Sequence, residues 1–220
     1  IVAGSSYLKI AFYSYRDGDA EIYIMDSDGQ LVKKLTNNDN RDYSPVFSPD
    51  GSQILFMRDD YEIWTIEIDS GDETKLASNA DLGDDPFHPT SNEFLYTQSS
   101  STPTGSNDYW EIYKMNIDGS SQQQLTYTTR SDTYPIFSPD GQSIFYVYYS
   151  SEDGKSDIWK MDVGGTNKIN ITDRDYYYHY IRFSPDGSKI VFNYWRDSAY
   201  QVATVNNDGT YFAVLTSSES

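Results

Sequence analysis

Phe47-Ser48-Pro49-Asp50-Gly51 is followed by the apolar alternation Ile54, Phe56, and the pattern returns twice. Ser138-Pro139-Asp140-Gly141 precedes Ile144 and Tyr146, and Ser184-Pro185-Asp186-Gly187 precedes Ile190 and Phe192. A worn copy, His88-Pro89-Thr90-Ser91, stands before Phe94 and Tyr96. Aligning Ile10-Ala11-Phe12 with Ile54-Leu55-Phe56 puts the first, degenerate proline position at Ser5. Equivalent positions are then 5, 49, 89, 139 and 185, at spacings of 44, 40, 50 and 46 residues. That period is the length of a four-stranded propeller blade.

The strands of one unit can be read around this turn. Strand A precedes it, as in Tyr43 to Phe47 and Thr133 to Phe137, and strand B follows. Strand C carries Glu21-Ile22-Tyr23, Glu62-Ile63-Trp64, Glu111-Ile112-Tyr113 and Asp157-Ile158-Trp159, each closing in an Asp- or Asn-headed turn with Gly, such as Asp26 to Gly29. Strand D ends in Leu-Thr at Leu35-Thr36, Leu125-Thr126 and Leu215-Thr216. Gly supplies the positive φ that tight hairpins need. The prediction is an all-β chain: one β-propeller domain over 1-220, with five blades of four antiparallel strands at about 1-38, 39-80, 81-128, 129-173 and 174-220. Each unit holds its own A to D strands, so the ring is expected to close by face packing alone, with Ile1 to Ala3 as a short inner strand. Blades stacked face to face bury some strands on both sides, and Phe145-Tyr146-Val147-Tyr148-Tyr149 supplies the continuous apolar run this requires.

Composition agrees and excludes several functions. The 220 residues hold 21 Tyr, 10 Phe and 4 Trp, and no Cys. Zero Cys removes disulfides, thiolate metal sites and a cysteine nucleophile. The net charge of −18, from 34 acidic and 16 basic side chains, opposes nucleic acid and anionic membranes, which need clustered Lys and Arg. No apolar run approaches the ~18 residues of a membrane span. No signal-peptide pattern stands at Ile1, so an exported chain would be the mature or trimmed form.

The string from Leu35-Thr36 through Asp42, Pro45, Phe47-Ser48-Pro49-Asp50-Gly51 and Ile54 to Glu62-Ile63-Trp64 resembles the TolB-type propeller repeat, a WD-like repeat common in bacterial envelope and secreted proteins. The resemblance covers the whole chain and implies a periplasmic or secreted location. It says little about activity, because such repeats occur in TolB, in peptidase propeller domains and in some polysaccharide lyases. TolB has six such blades against the five counted here, and the fifth unit has Gln201-Val202-Ala203 where the aromatic strand C motif belongs.

Candidate site residues cluster in the D-to-A connections. Asp39, Asp42, Asp81, Asp84, Asp85, Asp132, Asp173 and Asp175 precede successive A strands, where carboxylates could hold a basic peptide or a divalent cation such as calcium. Arg41, Arg130 and Arg174 share those loops and offset that charge. Asp42 and Asp132, at an Asp-x-x-Pro position, are equally suited to accept backbone N–H bonds that hold the loop. Unit five replaces that Asp and Pro with Tyr178 and Ile181 inside Tyr176-Tyr177-Tyr178-His179-Tyr180. Aromatic faces beside carboxylates suit a sugar or a peptide side chain, which makes Tyr134, Tyr178 and His179 ligand-facing candidates beside Asp84, Asp85, Asp132 and Asp175. The alternative for these rings is packing between blades.

Catalytic signatures are missing. There is no G-x-S-x-G elbow and no phosphate-binding glycine loop. The two histidines, His88 and His179, fall at opposite ends of their A strands and cannot share a metal. The Asp26 to Gly29 type of turn is a hairpin rather than a calcium loop, since the twelfth position counted from Asp26 is Asn37 instead of Glu. The reading is a non-catalytic propeller without a required cofactor that binds a protein or peptide at its loop-lined mouth. The alternatives are a carbohydrate-active protein, as a glycan binder or a lyase, and an architectural domain of a longer chain.

Overall fold

The computed structural model describes residues 9–99, 109–150, 154–172, 176–196 and 198–216. The chain divides into two compact units, Ile1–Asp84 and Asp85–Ser220. Among the described residues there is no helix, and every strand pairing is antiparallel.

In the first unit, β1 (Lys9–Ser14), β2 (Glu21–Asp26) and β3 (Lys33–Lys34) form a three-stranded sheet. Ile1 to Ala3, expected as an inner strand, lie outside the described residues. A second sheet runs in the order β4 (Asp42–Phe47), β5 (Gln53–Arg58), β6 (Glu62–Glu67), β7 (Glu73–Ser78). Ile22 and Ile24 of the first sheet pack with Ile54, Phe56 and Ile66 of the second.

The strand β8 (Ala80–Phe87) carries the chain into the second unit and pairs with β9 (Glu93–Ser99), followed by β10 (Trp110–Asn116) and β11 (Gln123–Gln124). Two more sheets follow in sequence order: β12 (Asp132–Phe137), β13 (Ser143–Tyr149), β14 (Ser156–Asp162), β15 (Ile169–Asn170), and then β16 (Tyr177–Phe183), β17 (Lys189–Arg196), β18 (Ala199–Asn206), β19 (Ala213–Val214). The last strand pairs with β18 in its own sheet. The aromatic run of β13 is divided between two cores. Phe145 and Val147 enter the cluster shared with β16 and β17, whereas Tyr146 joins Leu95, Ile112 and Phe137 on the other side. Alternation along a strand buried on both faces produces this division.

The repeated motifs have identifiable jobs. Ser48 Oγ donates to Asp50 Oδ1 at 2.7 Å and accepts from Gln53 N at 3.0 Å, while Gly51, at φ +72°, closes the turn onto Ser48 O. The same network recurs at Ser138 and Ser184. Its hydrogen bonds from Ser184 and Ser188 hold the Asp186 carboxyl down at about 2. The Thr of Leu-Thr ties strand D to strand C: Thr36 Oγ1 accepts from Ile22 N at 2.9 Å and donates to Glu21 Oε2 at 2.7 Å. Thr126, Thr172 and Thr216 accept from Ile112, Ile158 and Val202 in the same way. The Asp26, Asn116, Asp162 and Asn206 turns are hairpins, each closed by a Gly N–H onto the first carbonyl.

Candidate functional site

The A strands of three sheets carry a β-bulge, which shifts register between Tyr43 and Val46, between Thr133 and Ile136, and between His179 and Arg182. At its centre Ser44, Tyr134 and Tyr180 adopt φ of 51°, 52° and 52°. Non-glycine residues rarely hold this conformation, and a bulge re-aims the side chains around it.

In the second unit these bulges gather aromatic rings around His179. Tyr149 Oη lies 3.1 Å from His179 Nδ1. The rings of Tyr134, Tyr149, Tyr180 and Tyr200 have centroids 6.1 to 6.4 Å from the imidazole. Tyr200 meets Trp195 edge-on at 4.7 Å. Tyr180 is 54% and Tyr200 64% exposed, so the cluster opens to solvent, with Trp195 and Tyr177 also exposed. Burial lowers the His179 pKa, which keeps the ring neutral at pH 7. Neutral imidazole, phenol rings and an indole make a surface suited to stacking and single hydrogen bonds.

Two expected ligand residues are elsewhere. Tyr178 is 0% exposed, in the core with Ile158, Ile181, Phe192 and Tyr194, so the expectation that it faces a ligand is overturned. The bulge is the cause: Tyr178 and Ile181, three residues apart, both point inward because the extra residue reverses the alternation between them. Asp132 is likewise 0% exposed and cannot meet a ligand at the surface. Neither of its oxygens has a hydrogen-bond partner, which also corrects the expectation of backbone N–H bonds. Tyr134 is half-buried, with its ring 5.4 Å from Tyr180, and belongs to the cluster together with His179. Asp84 is exposed at the end of the first unit, Asp85 is exposed and lines a separate cavity, and Asp175 lies outside the described residues. Among the described residues no three His, Cys, Asp or Glu side chains come together to hold a metal. His88 is structural: its Nε2 is 3.2 Å from Gly141 O and its ring packs edge-on against Phe137.

The Asp-x-x-Pro aspartate has its own logic. Asp42, fully buried, receives Arg58 Nε and Nη2 at 2.7 and 2.8 Å, and Asn38 Nδ2 at 3.1 Å. Arg58 also reaches Glu73 at 2.7 Å and stacks 4.4 Å from Trp64. Its guanidinium pKa is raised, with these carboxylates outweighing burial. Arg58 is therefore a buried tie rather than a solvated loop charge. From sequence, Tyr180 stood out only as part of the Tyr176 to Tyr180 run, and Tyr149, Trp195 and Tyr200 were not ligand-facing candidates. The available signal was that strand B ends and strand C begins at the same end of a sheet as the start of strand A.

Antiparallel four-stranded sheets built one after another from a 45-residue motif define a β-propeller. Residues 87–220 match the family described as TolB beta propeller domain, and the chain belongs to that family. It is 30% identical over 149 residues to an uncharacterized protein of Agrobacterium fabrum, across 64% of this chain and 49% of that one. A TolB homolog of Chlorobium chlorochromatii is 31% identical over 144 residues, 63% of this chain and 31% of its own length. The crystal structure of TolB from Acinetobacter baumannii superposes with a TM-score of 0.67 at 21% identity, covering 96% of this chain and 52% of that one. The chain thus spans less than half the length of the Agrobacterium and Chlorobium relatives.

Proposed function

We propose that the chain is a non-catalytic binding propeller of a bacterial envelope, periplasmic or secreted, which docks a protein or peptide on the aromatic cluster around His179. The observation that carries this reading is the exposure of Tyr180 and Tyr200 beside His179 and Tyr134. Exposed Tyr and Trp gathered in one place are the residues that dominate protein interfaces, because they bury large area at low entropic cost. The Tyr149 hydroxyl, 3.1 Å from His179 Nδ1, helps to fix the imidazole within this surface. The TolB relatives and the repeat resemblance support the envelope location.

The test begins with capture of a partner from an envelope fraction by the intact chain, followed by its purification and titration. Tyr180→Ser with Tyr200→Ser should weaken that purified partner at least tenfold, since two truncated anchors each cost above ~1 kcal/mol. Unchanged affinity would remove the cluster from the interface. Binding only on a glycan array, with no protein captured, would favour the carbohydrate reading.

A further inference from the structure

Within the second unit, a cavity of about 250 Å³ lies between A strands, walled by Phe87, Ile136, Phe137 and Phe183, with Asp85 and Arg182 also on its wall. Three of the walls are one repeat position, the Phe before the A-to-B turn in β8, β12 and β16. Their rings are held from behind: Phe87 against Phe94 at 6.1 Å, Phe137 against His88 at 4.9 Å, Phe183 against Phe145 at 5.0 Å. The apolar part of the cavity is therefore preformed.

The two charged residues are departures from the repeat. Asp85 stands where the other units have Pro45, Pro135 and Ile181, and Arg182 stands where they have Val46 and Ile136. Two apolar positions in different sheets have become opposite charges lining one cavity. The corresponding positions of the second and fourth sheets carry neither charge. Arg182 Nη1 donates to Ile181 O at 2.9 Å, which orients the guanidinium. Asp85 is exposed, so its carboxylate remains hydrated and available.

We propose that this cavity binds a small zwitterion with an apolar side chain, that is, an apolar or aromatic α-amino acid, its carboxylate on Arg182 and its ammonium on Asp85. Size sets the class: drug-sized sites occupy ~300–1,000 Å³, and this cavity falls just below that range. Guanidinium recognises carboxylate with its planar fork, and the three rings accept an aliphatic or aromatic side chain. The site is distinct from the His179 cluster, and neither reading depends on the other.

The experiment is a titration of the intact chain with L-phenylalanine and L-leucine, followed by NMR shifts at Asp85 and Phe183 and by calorimetry. N-acetyl-L-phenylalanine lacks the ammonium and L-phenylalaninamide lacks the carboxylate. Each should bind at least about tenfold more weakly than phenylalanine, the loss expected for one charge-assisted hydrogen bond. Arg182→Val restores the residue found at Val46 and should weaken phenylalanine about tenfold while leaving the amide unchanged. Asp85→Asn should do the same for phenylalanine and leave the N-acetyl compound unchanged. Absence of saturable binding up to about 10 mM overturns the proposal. So does an N-acetyl compound that binds as tightly as phenylalanine, which would point to a peptide C-terminus. The ligand series uses the unaltered chain, so it decides the question even if a variant folds poorly.

Discussion

Asp132 offers the sharpest quantitative test of how these sheets are held. Asp42 in β4 pairs in register with Arg58, but the residue opposite Asp132 is Tyr148. Asp132 is therefore buried without a cation at that position. Burial comes first in raising its pKa from 3.8 to about 7, and the Glu111 carboxylate adds to it. Glu111 is 5% exposed and its Oε2 also has no hydrogen-bond partner. Lys168 and the Thr126 and Thr128 hydroxyls pull the other way, although the hydroxyls make no well-formed hydrogen bond to it. The sign follows from proton counts. Between pH 3.8 and 7 the folded carboxyl keeps a proton that the unfolded chain has released, so this group's contribution to stability falls as pH rises and is flat above 7. At ~1.36 kcal/mol per tenfold change in proton affinity the ceiling is about 4 kcal/mol, and relaxation brings the expected figure to about 2–4 kcal/mol. Asp132→Asn removes the charge and keeps the shape. At pH 8 it should raise the melting temperature by roughly 4–16 °C, given about 2–4 °C per kcal/mol for a chain of this size. The gain should shrink to under about 1 kcal/mol at pH 4. Calorimetry of both proteins at pH 4, 6 and 8 isolates this group, because carboxyls such as Asp186, held low in the fold, shift stability the opposite way and cancel in the difference. A variant no more stable than the parent at pH 8, or a gap that does not widen with pH, would refute the reasoning.

Tyr178→Ala should cost about 3–5 kcal/mol in urea unfolding, as a large aromatic truncation in a packed core, and an unchanged midpoint would return Tyr178 to the surface. His179 should titrate below 6.5 by NMR because burial disfavours its charged form. Its contribution to stability is then lost as pH falls through 6.5, where the unfolded chain protonates first, and partner binding at the cluster should be level from pH 7 to 8. Gly141→Ala and Gly51→Ala make a matched pair at φ +69° and +72°. A Cβ at Gly141 would meet His88 Nε2 at 2.3 Å, while one at Gly51 has nothing within 4 Å. Both should lose roughly 1 kcal/mol to backbone strain, with a further loss at Gly141 that His88→Ala should relieve in a double-mutant cycle.

The fold was legible because its motifs act locally. Ser48, Asp50 and Gly51 close a turn within six residues, and the spacing of such turns counts the sheets without any long-range information. The aromatic run in β13 was equally readable, since alternation alone sends Phe145 and Tyr146 to opposite cores. What could not be read was the parity of the A strands. Strict alternation puts Tyr178 and Tyr180 on one face, yet the bulge buries the first and exposes the second. Nothing in Tyr178-His179-Tyr180 marks that bulge by itself, because Tyr is an unusual residue for φ +52°. The cavity was out of reach for a different reason. Asp85 and Arg182 are nearly a hundred residues apart, and only their equivalence to apolar repeat positions, together with the packing of A strands, makes them neighbours on one wall.

One register position explains why the aromatic site arises in the last sheet. Opposite residues there are Asp42 and Arg58 in the second sheet, Asp132 and Tyr148 in the fourth, and Tyr178 and Tyr194 in the fifth. The first pair is a buried ion pair whose geometry is good enough to offset desolvation, and losing only its cation leaves Asp132 as an uncompensated buried acid. Replacing both partners removes that cost, as apolar replacement of a whole pair generally does. Tyr178 and Tyr194 then extend the core with Phe192, and each is fully buried. The bulge that follows is kept, so the residue after His179 still projects outward, and here it is Tyr180 rather than Ser44. The fifth sheet thus gains a core of rings beneath and a display of rings above from the same substitution of a polar repeat segment by tyrosines. If the display had no function, Tyr180→Ser, which restores the residue of the second sheet, would leave partner binding untouched and would not lower stability. A loss of binding at constant melting temperature is the outcome that a docking role for the exposed ring requires.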